Sequence, residues 1–176
     1  PGFCDHVEST LKEFGLPGSL LQLEITESLL MTQQERAIPV LRPLRQLGCR
    51  VLIDDFGTGY SSIGSLQQLP VDGLKIDQIF VQGMDVDEEK ATITRVMLAL
   101  SSALGLEVIA EGVESESQLA LLNRHGCGGF QGYLVSPPVS AQEIELLLGG
   151  AAPAGDRDRH GLLVRAGVRR SADRLG

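Results

Sequence analysis

Five short apolar runs separated by stretches of helical period set the limits on how this chain folds. They are Leu20–Thr26, Arg50–Asp55, Gly73–Asp77, Glu107–Ala110 and Gly129–Val135. Each is apolar nearly throughout instead of alternating, as strands are when both faces of their sheet are covered. Between them apolar residues recur at helix spacing: Ala37, Val40, Leu41, Leu44 and Leu47, then Val96, Leu100, Ala103 and Leu104, then Leu119 and Leu122. Strands alternating with helices require a parallel sheet, either open or closed into a β/α barrel. Phe3, Val7, Leu11 and Phe14 predict an opening helix that Gly15 and Pro17 close, with no strand before it. Capping boxes are expected at Thr32–Glu35, Ser115–Gln118 and Ser140–Glu143, and Gly48 stands where a left-handed helix terminator belongs.

The polar residues gather where the strands end. Glu24 and Glu27 close the first run, Asp54 and Asp55 the second, and Lys75 and Asp77 the third. Glu111 and Glu114 follow the fourth, and Gln131 lies within the fifth. In a β/α barrel those ends converge on the face where active sites are built. One acid after a strand is as readily the N-cap of the next helix, but a succession of five is not explained that way. Carboxylates sharing a partly dry site repel unless something neutralises them, and Lys75 alone does not balance so many. A divalent ion does, and all-oxygen donors select Mg²⁺ or Mn²⁺ over zinc. Asp54 and Asp55 are strand neighbours, so both reach one site only if the chain turns there. Gly57-Thr58-Gly59 permits such a turn, and a carboxylate at that point can bridge two metals for in-line phosphoryl displacement. The same glycines suit a plain strand–helix loop equally well.

Charge and composition exclude other classes. The net charge is −8, and residues 151–176 carry six Arg against three Asp, which leaves −11 on residues 1–150. So acidic a body argues against binding a nucleic-acid polymer. No apolar run reaches the roughly 18 residues that cross a bilayer. The first residue is Pro1, no signal peptide follows it, and the chain reads as a piece of something longer. Cys4, Cys49 and Cys127 are odd in number and scattered, which fits neither a disulfide framework nor a zinc site and points to a reducing cytoplasm. The segment 149–176 reads as an Arg-containing, disordered extension, with a short basic helix over 162–170 as the other option.

Five blocks carry a family resemblance in order and spacing. They are Leu23-Glu24-Ile25-Thr26-Glu27-Ser28, Asp54-Asp55-Phe56-Gly57-Thr58-Gly59-Tyr60-Ser61-Ser62, Leu74-Lys75-Ile76-Asp77, Ile109-Ala110-Glu111-Gly112-Val113-Glu114 and Gln131-Gly132-Tyr133. Together they resemble the signature blocks of the EAL family over residues 1–148. The resemblance implies a partial (β/α)₈ barrel lacking its first strands, from a domain that hydrolyses cyclic di-GMP to pGpG with two Mg²⁺ or Mn²⁺ ions. It implies that Glu24, Asp54 and Asp55 are metal ligands, with Asp54 bridging, and that Glu111 holds the second metal through water. Lys75 resembles the group that orients or activates the attacking water, Asp77 and Gln131 resemble supports for that water and the substrate, and Glu27 resembles the anchor of the Asp55–Ser62 loop. It also implies a homodimer for the complete domain. The Glu-Ala-Leu segment and the strand bearing the family's Asn ligand are not in this sequence, so the chain alone is expected to be hydrolytically weak or inactive. The alternative is a degenerate EAL module that binds cyclic di-GMP or a protein partner without turnover.

Overall fold

Each apolar run pairs in parallel with the next one in the chain, giving a five-stranded sheet in the order β1-β2-β3-β4-β5. The computed structural model describes residues 2–59, 63–140 and 142–144; Tyr60, Ser61, Ser62 and the expected tail lie outside them. The strands are β1 (Gln22–Thr26), β2 (Arg50–Phe56), β3 (Gly73–Ile76), β4 (Glu107–Ala110) and β5 (Gly129–Phe130). Helix α1 (Phe3–Glu13) precedes them; α2 (Glu27–Thr32) and α3 (Gln34–Gln46) link β1 to β2, and α4 (Ile63–Gln68) links β2 to β3. Helices α5 (Gln78–Val81) and α6 (Glu88–Ala103) link β3 to β4, and α7 (Glu116–Arg124) links β4 to β5.

The parallel register sorts the side chains. Val51, Ile53, Leu74, Ile76, Val108 and Ala110 share one face, and all are buried against Leu30, Leu41, Leu98, Leu119 and Leu122 of the helices. Fully burying an aliphatic side chain of this kind contributes about 1.5–3 kcal/mol, so this layer holds helices to sheet. The opposite face presents Glu24, Asp54 and Lys75, brought level by the pairings Glu24 with Leu52, Thr26 with Asp54 and Ile53 with Leu74. Lower on that face Arg50 and Glu107 form an ion pair across β3, where Gly73 has no side chain to separate them. A Cβ on Gly73 would sit 2.5 Å from the Glu107 carbonyl oxygen.

The expected boundaries fail in three places. The run from Leu20 starts as a 3₁₀ turn over Gly18–Leu20, because the Pro17 and Gly18 carbonyls accept from Leu20 and Leu21 and Gly18 packs against the Leu47 carbonyl. The fifth run stops at Phe130, well short of Val135. Beyond it the chain wraps Val113, which donates to the Gln131 carbonyl and accepts from Leu134 N, with Gly132 wedged against its backbone. No box forms at Thr32, whose hydroxyl instead turns back to the Ser28 carbonyl at 2.8 Å, so that Gln33 precedes α3 without a side-chain cap. The other two boxes form: Ser115 and Gln118 cap α7 reciprocally, and Ser140 and Glu143 exchange the same bonds. Gly48 ends α3 with φ +89°.

Candidate active site

The end of β2 delivers two carboxylates to one place by breaking its own ladder. Pairing with β3 slips between Ile53 and Phe56, and Asp55 takes a left-handed conformation, φ +54°. The turn begins at Asp55 and runs through Gly57, φ +102°, with Thr58 N donating to the Asp55 carbonyl, so the glycine segment expected from sequence takes part in it. An Asp tolerates this region better than a branched residue does, since its short polar side chain can hydrogen-bond locally. Asp54, Asp55 and Glu111 thereby bring one carboxylate oxygen each within 4.8 Å of one another.

Lys75 organises this end of the sheet. Its side chain is only 7% exposed, and its Nζ lies 2.8 Å from Glu24 Oε2, 3.0 Å from Asp54 Oδ1 and 2.5 Å from Glu111 Oε1. Burial opposes its charge, yet its bonds to Glu111 and Glu24 and its ion pair with Asp54 win and hold the ammonium well above its ordinary pKa. Gln131 Nε2 donates to the same Glu111 oxygen at 2.8 Å. Burial pushes the Glu111 carboxyl up; Lys75 opposes the shift and the charges of Asp54 and Asp55 add to it. Asp55 is raised as well, by burial first and then by Asp54 and Asp77. Four carboxylates thus face one ammonium, a surplus of negative charge that favours a further cation.

The donor set fits a divalent ion on a second ground. Asp54 Oδ1 is buried and makes no hydrogen bond among the described residues, because Lys75 approaches it out of line. A buried acceptor left without a bond costs about 1–3 kcal/mol, and a cation would satisfy it.

Of the other residues expected here, Glu27 is 1% exposed and accepts from Gly57 N at 2.8 Å and Gly59 N at 3.2 Å. A Cβ on Gly59 would lie 2.9 Å from Glu27 Oε1, so the loop closes on the carboxylate only with glycine there. Asp77 caps α5 by accepting from Ile79 N at 2.8 Å, which is the plain helix-start reading of an acid after a strand. Sequence reasoning missed Gln22, whose amide donates to Glu24 Oε1 at 3.1 Å; the two-residue strand period would have found it. It also missed Gln82, whose amide donates to Glu114 Oε1 at 3.1 Å beside a cleft that Glu111 and Gln131 line. Gln82 stands in no motif and had no signal.

The EAL domain family profile matches residues 1–138. The cyclic di-GMP phosphodiesterase NbdA of Pseudomonas aeruginosa is 42% identical over 144 residues, 82% of this chain and 18% of that protein. The crystal structure of the EAL domain of Mycobacterium smegmatis DcpA superposes with a TM-score of 0.79 at 44% identity, covering 85% of this chain and 67% of that one. Klebsiella pneumoniae BlrP1 in its manganese and cyclic di-GMP complex gives a TM-score of 0.72 at 32% identity over 78% of this chain and 35% of that one. The chain spans about a fifth of the length of the curated relatives it matches. Matched by profile, sequence and fold alike, the chain belongs to the EAL domain family.

Proposed function

We propose that residues 1–148 form the larger part of a domain that hydrolyses cyclic di-GMP to pGpG with the aid of two Mg²⁺ or Mn²⁺ ions. The observation carrying this reading is the placing of Glu24, Asp54 and Glu111 around one buried lysine, with Asp55 completing a cluster of oxygen donors. The manganese and cyclic di-GMP complex of BlrP1 supports both the ions and the substrate class.

In this reading Glu24, Asp54 and Asp55 would hold the ions, with Glu111 assisting. The bound ions supply charge neutralisation and a water acidic enough to attack a phosphodiester. Lys75, whose ammonium three carboxylates hold, orients or activates that water and offsets phosphate charge. Gln131 fixes Glu111 through its amide. Asp77 supports the site from its cap position, and Glu27 sets the loop that follows Asp55. No helix among the described residues is long and apolar enough to cross a membrane, and the reading places the domain in the cytoplasm.

The test compares this chain, supplied with Mn²⁺ and cyclic di-GMP, with the same chain joined to upstream strands carrying the Glu-Ala-Leu and Asn ligands. The completed domain is expected to turn over the substrate and the chain alone to be weak or inactive. Nucleotide binding without turnover in the completed domain would favour the non-catalytic alternative.

A further inference from the structure

The turn that aims Asp55 is held from two sides, one polar and one apolar. On the polar side Glu27 accepts from Gly57 N at 2.8 Å. Within the turn the Asp55 carbonyl accepts from Thr58 N at 3.3 Å and from Thr58 Oγ1 at 2.9 Å, which encloses Gly57. On the apolar side Gly57 lies against Phe80 of α5 and Met97 of α6. A Cβ added to Gly57 would come 2.7 Å from Phe80 Cε2 and 2.3 Å from Met97 Cε. Both side chains therefore fill the space beneath the backbone. The two helices that carry them are tied together. Thr94, wholly buried and three residues before Met97, donates to the Phe80 carbonyl at 3.2 Å. Phe80 N in turn donates to the carbonyl of the cap residue Asp77 at 3.1 Å, so both backbone polar groups of Phe80 are engaged. Phe80 and Met97 also pack against the main core.

We propose that Phe80 and Met97 are positioning residues for Asp55: they form an apolar floor under Gly57 that keeps the Asp55 carboxylate within reach of Asp54 and Glu111. The inference rests on the phosphodiesterase reading for what the carboxylates hold, and on packing for how they are held. Asp55, Asp54 and Glu111 each bring an oxygen within 4.8 Å of the others, a closeness that like charges oppose. That repulsion pushes Asp55 away, and its backbone at φ +54° adds strain that the surroundings must hold in place. Glu27 pulls on the turn through its N–H groups, which does not limit how deeply the Gly57 Cα settles toward α6. The floor sets that limit. Close-packed side chains resist such movement, because a gap opened beneath the backbone forfeits contacts. The two residues contribute differently. The Phe80 ring is stiff and defines the height of the floor, whereas the unbranched Met97 side chain adapts to the space that remains.

Mn²⁺ titration calorimetry on the full chain, paired with amide hydrogen exchange at Gly57 and Thr58, reads the floor without reference to turnover. Met97→Ala and Phe80→Leu should each weaken Mn²⁺ binding about tenfold, as loss of a group that orients a metal ligand does, and should speed exchange at both amides. Met97→Leu conserves volume and should keep the affinity within about twofold of the unmodified chain. Leu44→Ala is the control, since it opens a cavity in the separate cluster around Val7 and Cys49. It should lower stability yet leave Mn²⁺ affinity within about twofold, as a distant and independent site does. Unchanged affinity in both floor variants, an equal loss in Leu44→Ala, or failure of Met97→Leu to keep binding would each overturn the proposal. If the unmodified chain binds no Mn²⁺, the phosphodiesterase reading fails and exchange alone decides the floor. Faster exchange in Met97→Ala but not in Leu44→Ala then upholds it, and equal rates overturn it.

Discussion

Lys75 and Gln131 donate to the same oxygen of Glu111, at 2.5 and 2.8 Å. One carboxylate therefore ties β3, β4 and the segment after β5 together at the mouth of the sheet. That oxygen is filled by the protein, and the other has no hydrogen-bond partner among the described residues, so it is open to a water or a cation.

Removing the lysine should cost more than removing any single acid. Lys75→Met leaves Glu24, Asp54 and Glu111 without their shared partner, and breaking a buried pair on one side costs roughly 3–5 kcal/mol. Urea unfolding at neutral pH measures it. Because the folded pKa of Lys75 is raised, its contribution is complete below its ordinary value of 10.5 and fades as pH rises toward the folded value. The gap between the two proteins should hold steady up to about pH 10 and narrow above it.

For Glu111 and Asp55 the sign is the same and the pH range is lower, because their folded pKa values are raised too. Both hold their protons more tightly folded than unfolded, so ionising them costs stability as pH rises through the carboxylate range. A divalent ion favours the ionised forms. The rise in melting temperature produced by Mn²⁺ should therefore be larger near about pH 7.5 than near about pH 5. Glu111→Gln and Asp54→Asn should each remove most of that rise.

Glu27 should govern the loop after Asp55 without touching the ions. Its carboxylate accepts from Gly57 N and Gly59 N, so Glu27→Ala strands two amides. A loss of about 1–3 kcal/mol is expected, with faster hydrogen exchange at Gly57 and Gly59 reporting where it falls. Gly59→Ala should loosen the same loop, because its Cβ would come within 3.0 Å of the Glu27 carboxyl carbon at Cδ.

Gly132→Ala tests the turn that positions Gln131. The new Cβ would lie 2.2 Å from the Val113 carbonyl oxygen, so the backbone must shift. A stability loss of about 1–3 kcal/mol is expected, with Gln131 drawn off Glu111 and Mn²⁺ binding weakened alongside it.

The sheet was legible because short apolar runs recur between helical stretches, and two of them stop where functional polar residues begin, at Ile53 before Asp54 and Ile109-Ala110 before Glu111. The gathering of the charged residues was legible as well, since parallel strands bring Glu24, Asp54, Lys75 and Glu111 to one end whatever the helices do. Long-range contacts were not legible. Phe130 ends β5 because Val113 bonds Gln131 and Leu134 beyond it, and no local pattern around Gln131 signals that. Thr32 had two partners available, a following amide or the carbonyl four residues back, and the sequence pattern did not favour the second. The Gln82–Glu114 bond spans 32 residues between two helix ends, beyond the reach of any spacing rule.

The central claim is that the carboxylates around Lys75 serve phosphodiester hydrolysis. The most direct measurement is cyclic di-GMP turnover with Mn²⁺ in the domain completed by its upstream strands, compared with the same protein carrying Glu111→Gln. The account predicts pGpG from the unmodified domain and a loss of about a hundredfold or more in the variant, which removes a group holding metal-bound water. Absence of turnover in the unmodified domain, or full activity in the variant, would contradict it.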